Sequence, residues 1–256
     1  MRFASLASGS AGNCMVIEHG STRLLLDCGL GPRDLASRLI SRGLDSQQIT
    51  GIILTHEHDD HAKGAFKFAA FHNIPIWLSH GTRVMVERYL PEGLSLDLRV
   101  IDSHQPFQIR DMEVAPYPVP HDAREPTQFV FSDGQHTLGV LTDTGVSTPH
   151  IESMLTGCDA LVLECNHDLE MLKNGPYSPA LKKRVGGRLG HLDNGSAARL
   201  LANLDNRKLK HIIAAHLSAK NNTPELAQAA LAAVLNCSRE WIGIANQVSG
   251  FDWRSL

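Results

Sequence analysis

Residues 55 to 61 read Thr-His-Glu-His-Asp-Asp-His, directly after the apolar run Gly51–Leu54. In an extended chain the side chains alternate between two faces, so His56 and His58 point to the same side. Where the chain turns into the next helix, Asp60 and His61 can swing towards the same space. Three imidazoles and a carboxylate within six residues need polar partners that an apolar core does not offer. This spacing therefore predicts a metal site at the end of a buried strand.

The composition of the chain limits what can surround this motif. Of its 256 residues, 43% are apolar and 20% are charged, which is an ordinary globular composition and excludes disorder, collagen and coiled coil. A net charge of −3 argues against a generally basic nucleic-acid coat protein, so any nucleic-acid contact must come from a local patch. Fourteen histidines beside only five cysteines favour a metal site of imidazoles and carboxylates over structural zinc or a disulfide framework.

The cysteines and the N-terminal residues bear on the cellular compartment. The number of cysteines is odd, no two of them form a CxxC pair, and the N-terminal residues lack the apolar stretch of a signal peptide. No run approaches the roughly 18 apolar residues of a membrane span. We therefore expect a protein of the reducing cytoplasm without membrane contact. The sequence leaves its oligomeric state open, a homodimer included.

Short apolar runs that end in polar residues alternate with helical patterns along the chain. The runs are rich in Ile, Leu and Val and too short for typical helices, which predicts strands at Arg23–Leu26, Gly51–Leu54, Thr137–Leu141, Ala160–Leu163 and His211–Ala215. Apolar spacing and capping residues predict helices at Pro32–Ile40, Ala62–Phe71, Thr82–Leu90, Asp193–Leu204 and Pro224–Leu235. A β-rich stretch from Val100 to Leu141 interrupts the alternation. We expect one α/β domain over residues 1–256, with mixed sheets and outer helices.

The HxHxDH motif after a strand resembles the hallmark of the metallo-β-lactamase-fold hydrolases, and later motifs extend the resemblance over almost the whole chain. Asp27 in LLLDCG, His121 in PVPHD, Asp143 in GVLTDTG and His216 in AAHLS follow in the order of that family. Taken singly, His121 is more often a satisfied surface or core histidine, Asp143 is more often a turn residue, and His216 is as easily a structural residue as a ligand. The resemblance implies an αββα sandwich of two mixed β-sheets with helices outside.

The resemblance also implies two adjacent divalent metal ions and the way in which their ligands are shared. The ligands would be His56, His58 and His121 at one ion, Asp60, His61 and His216 at the other, and Asp143 between them. Asp27 would hold the histidine loop rather than bind metal, as residues around metal-bound imidazoles do. An Asp at position 143, in place of a Cys, separates the chain from the zinc β-lactamases that destroy antibiotics. Ligands with only N and O donors allow zinc, manganese or iron.

A further histidine selects among the chemistries of this family. His191 lies in Gly-His-Leu-Asp-Asn, ahead of a helix, a strand and His216, which resembles the phosphodiesterase branch. In that branch this histidine is not a ligand, and it contacts the scissile phosphate or protonates the leaving oxygen. The sequence also allows His191 to cap the helix that starts near Asp193.

The segment from Ser8 to Asn13 (SGSAGN), together with LVLECNHD and GHLDN, resembles the small bacterial WalJ/YycJ-type group of DNA exonucleases. This resemblance implies a 5′-3′ exonuclease in which a metal-bridging hydroxide, oriented by Asp60 and Asp143, attacks phosphorus in line with the leaving oxygen. The alternatives are a small-molecule cyclic phosphodiesterase, a tRNA 3′-processing-like endoribonuclease and a thioester or lactone hydrolase. The segment before His191 is too short for the long arm of many tRNA nucleases, which weighs against tRNA maturation.

Residues 171–192, the basic segment, carry five basic side chains and no acidic one. They lie directly before His191 and could guide a phosphate backbone towards it, although charge runs are commonly solvated helix faces. The glycines of the SGSAGN segment let the backbone approach a ligand closely, although a hairpin turn explains them as well. The residues that we expect to contact nucleic acid or another phosphodiester substrate are Ser8, Ser10, Asn13, Asn166, His167, Lys182, Lys183, Arg184 and Arg188.

Overall fold

Two β-sheets pack face to face and carry helices on their outer sides. The structure is a computed structural model that describes residues 1–90 and 95–256. Within these ranges the strands of the first sheet are β1 (Arg2–Ala7), β2 (Cys14–His19), β3 (Thr22–Leu26), β4 (Gly51–Ile53), β5 (Ile76–Ser79), β6 (Leu98–Ile101) and β14 (Phe251–Ser255). The strands of the second sheet are β7 (Phe107–Ile109), β8 (Met112–Pro118), β9 (Thr127–Ser132), β10 (Thr137–Leu141), β11 (Ala160–Glu164), β12 (His211–Ala215) and β13 (Gly243–Ile244).

The order of the strands brings the ends of distant segments together. It is β14-β1-β2-β3-β4-β5-β6 in the first sheet and β13-β12-β11-β10-β9-β8-β7 in the second. The runs β3 to β6 and β10 to β13 are parallel and the other pairs are antiparallel, so both sheets are mixed. The five predicted strands are present within one residue of their predicted bounds. Because parallel strands end at the same edge, the loops after β3, β4, β10, β11 and β12 can share one site.

The strands at the centre of each sheet are buried on both faces. Leu24 of β3 and Val162 of β11 point into one apolar cluster between the two sheets. Their chain neighbours Leu25 and Leu161 point the other way, into separate clusters under the outer helices. Alternation between two buried faces explains why these strands read as continuous apolar runs. The predicted αββα sandwich of two mixed sheets with outer helices is confirmed.

Six of the nine described helices begin after a residue whose side chain caps the first turn. The described helices are α1 (Pro32–Ser41), α2 (Asp59–Ala62), α3 (Ala65–His72), α4 (His80–Met85), α5 (Pro149–Leu155), α6 (Leu169–Asn174), α7 (Pro179–Val185), α8 (Asn194–Asn203) and α9 (Pro224–Leu235), and the capped ones are α4 to α9. The side chains of Asp193 and Thr223 accept hydrogen bonds from the first turns of α8 and α9, as N-caps do. Among the described helices, none has the length and apolar character needed to cross a bilayer.

Two predicted helices differ from the observed ones, one because of close packing at a glycine and the other because of a capping side chain. The predicted helix Ala62–Phe71 is divided into α2 and α3 at Gly64, where a β-carbon would overlap the backbone of the loop after β3. The predicted helix Thr82–Leu90 starts earlier, as α4, because the hydroxyl of Ser79 caps it. It ends as a 3₁₀ turn over Val86–Tyr89.

Gly29 provides a test of how tightly the loop after β3 is packed against the HxHxDH loop. A β-carbon on Gly29 would overlap the carbonyl oxygen of Asp60. We predict that Gly29→Ala lowers the free energy of unfolding by about 3 kcal/mol, the upper end of ordinary overpacking costs. Gly31→Ala is the matched control, since no described atom lies within 4 Å of its added β-carbon. Its loss of a glycine N-cap should cost about 1 kcal/mol at most. Urea denaturation measures the free energy of unfolding of both variants, and an equal decrease in the two would contradict the prediction.

Candidate metal centre

Seven side chains with metal-binding atoms converge at the carboxyl-terminal edge of the two sheets. They form overlapping groups in which the ligand atoms lie within 4.8 Å of one another, namely His56, His58 and His121, then Asp60, His61 and His216, and then His56, His61 and Asp143. Two triads connected by one carboxylate are the arrangement that a dinuclear site requires. The structure thus brings together every residue that the sequence analysis proposed as a ligand.

The first triad consists of three imidazoles from two loops. His58 Nδ1 lies 3.0 Å from His56 Nε2 and 3.3 Å from His121 Nε2. The side chain of His58 is the most accessible of the three, while those of His56 and His121 are buried. Three ring nitrogens at these separations offer a half-open site for one cation.

The second triad combines a carboxylate with two buried imidazoles. Asp60 Oδ2 lies 3.5 Å from His61 Nε2 and 3.6 Å from His216 Nε2. Asp143 lies between the triads, because its Oδ2 is 3.2 Å from His61 Nε2 and its Oδ1 is 4.0 Å from His121 Nε2. The carboxylate of Asp143 is therefore placed to contact cations in both triads.

Fixed acceptors outside the cluster orient the ligand imidazoles. His61 Nδ1 donates to Asp27 Oδ2 at 2.8 Å, and His121 Nδ1 donates to the carbonyl oxygen of Gly190 at 3.0 Å. His216 Nδ1 donates to Glu164 Oε1 at 3.1 Å. A proton on Nδ1 leaves the lone pair on Nε2, which in each case points into the cluster.

The backbone is strained where it delivers three of these residues. Asp27, Asp143 and His216 have φ angles of 60°, 51° and 55°, in the left-handed region that costs a residue with a β-carbon about 1–2 kcal/mol. Each of them follows a strand of the parallel runs, and the left-handed turn directs the side chain across the edge of the sheet. Such strain is typical of positions where a side chain must be aimed.

Two buried atoms of the cluster identify what it is built to hold. Within the described part of the chain, Asp143 Oδ2 and His216 Nε2 are buried and make no hydrogen bond, beyond the ion-pair distances to His61 and Asp60 given above. A buried polar atom without a partner costs about 1–3 kcal/mol. Divalent cations held by the two triads would coordinate both atoms, and nitrogen and carboxylate donors suit such cations. The residues present therefore fit two divalent metal ions.

The comparisons with known proteins agree with this geometry. A family model described as "Beta-lactamase superfamily domain" matches residues 22–213. The chain belongs to the beta-lactamase superfamily. Exodeoxyribonuclease YycJ of Bacillus anthracis is 33% identical to it over 253 residues, which are 98% of this chain and 96% of YycJ. Exodeoxyribonuclease WalJ of Streptococcus pneumoniae serotype 2 is 30% identical over 228 residues, or 88% of this chain and 85% of WalJ.

A solved structure within this superfamily shows the same fold. The metallo-beta-lactamase fold protein YhfI of Bacillus subtilis superimposes with a TM-score of 0.75 over 99% of this chain and 98% of YhfI, at 17% identity. The resemblance to metallo-β-lactamase-fold hydrolases and to the WalJ/YycJ-type group is thus confirmed. Divalent metal ions follow from the superfamily fold together with the two triads.

Glu164 is a buried member of this cluster to which the sequence analysis gave no role. The side chain is fully buried, and its Oε1 accepts from His191 Nδ1 at 2.8 Å as well as from His216. Its Oε2 accepts from the backbone N–H groups of Thr144 and Leu192 at 3.0 Å and 3.1 Å. A usable signal was present, because β11 ends at Glu164 beside the end of β12, which leads into His216.

His191 lies at the edge of the cluster with its ring partly exposed. His191 belongs to neither triad, although its ring lies in a group with Asp143, Glu164 and His216 whose ligand atoms are within 4.8 Å of one another. Its side chain is 21% accessible and lines the cavity above the cluster. Burial opposes the charged form of His191, but the carboxylates of Glu164 and Asp143 raise its pKa. The pKa of Glu164 falls to about 2, because the attraction of His191 and His216 outweighs its desolvation. The pair therefore favours the protonated form of His191.

Several predicted substrate contacts lie beneath the cluster instead. The hydroxyl of Ser8 accepts from the backbone N–H of His216 at 2.8 Å, and Asn166 Nδ2 donates to the carbonyl oxygen of His216 at 3.0 Å. Asn13 Nδ2 donates to Asp60 Oδ2 at 3.3 Å. These three buried side chains hold the loops that carry the ligands.

The remaining predicted contacts divide around a cavity of about 370 Å³ above the cluster. Ser10 and Arg184 line this cavity, together with Tyr177 and His191. His167 is buried and donates from Nδ1 to its neighbour Asn166. Four further predicted contacts do not line this cavity, in addition to the three side chains beneath the cluster. They are His167, Lys182, Lys183 and Arg188.

Metal binding to this cluster is expected to release protons. In the absence of cations the carboxylates around His216 outweigh its burial and raise its pKa to about 10, and Asp143 and Asp27 likewise raise the pKa of His61. His216 is thus protonated at neutral pH, the raised pKa of His61 favours its protonated form as well, and a cation must displace these protons. We predict proton release on metal binding at pH 7, with affinity falling as the pH is lowered. Calorimetric titration in buffers of different ionisation heat measures this, and zero release would contradict it.

Removal of a first-triad imidazole should reduce metal content. We predict that His58→Ala lowers the bound metal from about two ions per chain towards one, since the first triad keeps only two of its three ring nitrogens. Elemental analysis after dialysis measures the content. The control is His104→Ala, an exposed histidine outside the site. Full occupancy in His58→Ala would remove His58 from the ligand set.

Proposed function

We propose that this chain is a DNA exonuclease that removes nucleotides from the 5′ end. It is a metal-dependent hydrolase that acts on phosphodiester bonds, given its superfamily and its relatives YycJ and WalJ, both named as exodeoxyribonucleases. The observation that carries the proposal is the match to YycJ over nearly the full length of both chains, with the seven ligand side chains assembled in one place. The five free thiols suit a place in the reducing cytoplasm.

The two triads and Asp143 would hold two cations, with zinc, manganese and iron as the candidates. When bound, such a pair supplies an activated water and neutralises charge on phosphate oxygens. The carboxylates of Asp60 and Asp143 remain ionised, because His61 and His216 lower the pKa of both against the opposing effect of burial. Ionised oxygens accept hydrogen bonds from the attacking water and direct its lone pair at phosphorus.

His191 would complete the reaction on the leaving-group side. As the bond between phosphorus and the leaving oxygen breaks, that oxygen takes a proton from the Nε2 atom of His191. Glu164 holds the ring through Nδ1 and favours its protonated form. The buried position of Glu164 between His191 and His216 keeps the acid and the metal ligand in one fixed arrangement.

The test of this function is a substrate panel for the manganese-loaded and the zinc-loaded protein. It includes linear single-stranded and double-stranded DNA, RNA, a cyclic phosphodiester and a thioester, with DNA labelled at either the 5′ or the 3′ end. The proposal expects metal-dependent release of mononucleotides from the 5′ end of DNA. Turnover of the cyclic phosphodiester or the thioester without any DNA cleavage would overturn it.

The role of His191 can be separated from metal binding. We predict that His191→Ala retains its metal ions while kcat on DNA falls about a hundredfold or more, the size of lost acid–base catalysis. Glu164→Gln removes the charge that raises the pKa of His191, so the alkaline limb of the pH–rate profile should shift to lower pH. Unchanged turnover in His191→Ala would refute its assignment as the acid.

A further inference from the structure

The basic segment does not present a uniform basic face to the cavity. The sequence analysis proposed four Lys and Arg side chains of this segment as substrate contacts. Of these four, only Arg184, on α7, lines the cavity above the cluster. The ammonium group of Lys182 donates to the carbonyl oxygen of Lys173 at 2.7 Å. Lys183, next to Arg184 in the chain, is exposed and does not line the cavity. The structure thus distinguishes the guanidinium group of Arg184 from the neighbouring lysine side chains by its position at the cavity.

Arg184 is held by a carboxylate that faces the first triad. Its Nε donates to Asp122 Oδ2 at 2.6 Å. The other oxygen, Asp122 Oδ1, lies 3.5 Å from His121 Nε2 and 3.9 Å from His58 Nε2. Asp122 therefore stands between the guanidinium group and the triad, and it places Arg184 one side chain outward from the cluster.

The terminal edge of this guanidinium group is available to a ligand. Within residues 1–90 and 95–256, the Nη1 and Nη2 atoms of Arg184 make no hydrogen bond, and 62% of its side chain is accessible. The Nε atom is occupied, so Asp122 fixes the orientation of the planar group. A guanidinium group binds phosphate through two parallel hydrogen bonds, which makes a preoriented edge a favourable phosphate site.

The same helix positions the proposed acid. The carbonyl oxygen of Val185, the residue after Arg184, accepts from the backbone N–H of His191 at 2.9 Å. A phosphate bound by Arg184 would thus be held in a fixed relation to the leaving-group side of the cluster. Since the chain carries a net charge of −3, a local cation at this point matters for binding a polyanion.

From this geometry we propose that Arg184 binds the phosphate next to the scissile one, with Asp122 as its positioning residue. The inference rests on the proposed exonuclease function and adds a specificity determinant to it. The scissile phosphate lies at the two triads, whereas Arg184 lies beyond Asp122 and receives the neighbouring phosphate of the strand. The enzyme therefore discriminates between a polynucleotide and a diester that has a single phosphate.

The experiment compares Arg184→Ala with Lys183→Ala in the manganese-loaded protein. The substrate is a 5′-phosphorylated single-stranded oligonucleotide. Arg184→Ala should raise KM about 10- to 100-fold, as expected for lost charge-assisted hydrogen bonds. It should reduce the slope of log KM against log salt concentration by about 0.7, the value for one phosphate contact on a single strand. Lys183→Ala, which removes the same charge one residue away, should change KM about twofold at most.

Two further measurements distinguish a phosphate contact from a structural role. Arg184→Lys retains the charge without the planar fork, so it should restore the salt slope but only part of the KM. Bis-p-nitrophenyl phosphate has no second phosphate, and its kcat/KM in Arg184→Ala should fall about fivefold at most. Metal content and thermal unfolding of each variant confirm that the site and the fold remain.

The inference is overturned if Arg184→Ala and Lys183→Ala change KM for the oligonucleotide equally, because the basic segment then acts as a diffuse charge. It is also overturned if Arg184→Ala loses as much activity on bis-p-nitrophenyl phosphate as on DNA. Neither result affects the exonuclease function. A wild-type protein that cleaves bis-p-nitrophenyl phosphate but no oligonucleotide refutes the exonuclease function itself.

Discussion

The hydrogen bonds that hold the ligand imidazoles from outside are the constraint on which the site depends. Asp27, Gly190 and Glu164 each accept a hydrogen bond from the Nδ1 atom of a ligand histidine, which leaves the Nε2 atoms of these rings directed into the cluster. A charge-assisted hydrogen bond of this kind contributes about 1.5–3 kcal/mol. Since two of the three acceptors are carboxylates at strand ends, the positions of the strands determine the directions of the rings.

This arrangement is unfavourable for the protein by itself, and the sandwich supports it. The left-handed backbone at Asp27, Asp143 and His216 and the unpaired buried atoms of the cluster each cost free energy. Strands that are buried on both faces leave these residues no room to relax. Cations held by the two triads would offset this cost.

The basic segment connects the proposed phosphate contact with the proposed acid. Its helix α7 presents Arg184 to the cavity and holds the backbone of His191 through Val185. Asp122 then joins α7 to the loop of the first triad. The proposed phosphate contact and the proposed acid are thus connected by short contacts, although the residues concerned come from two separate connections of the second sheet, β8 to β9 and β11 to β12.

The sequence by itself determined the sandwich and the residues of the two triads. HxHxDH is local and predicts a metal site by itself, whereas the later ligands, which are ambiguous when taken singly, follow from the resemblance to the metallo-β-lactamase-fold family. Only the tertiary structure decided the roles of Glu164, of Asn13 and Ser8 beneath the cluster, and of the Asp122–Arg184 pair. Those roles depend on which strand ends become neighbours and on which face of α7 meets the cavity. A run of charges in a sequence does not reveal either, because pairing and burial across distant segments arise only in the folded chain.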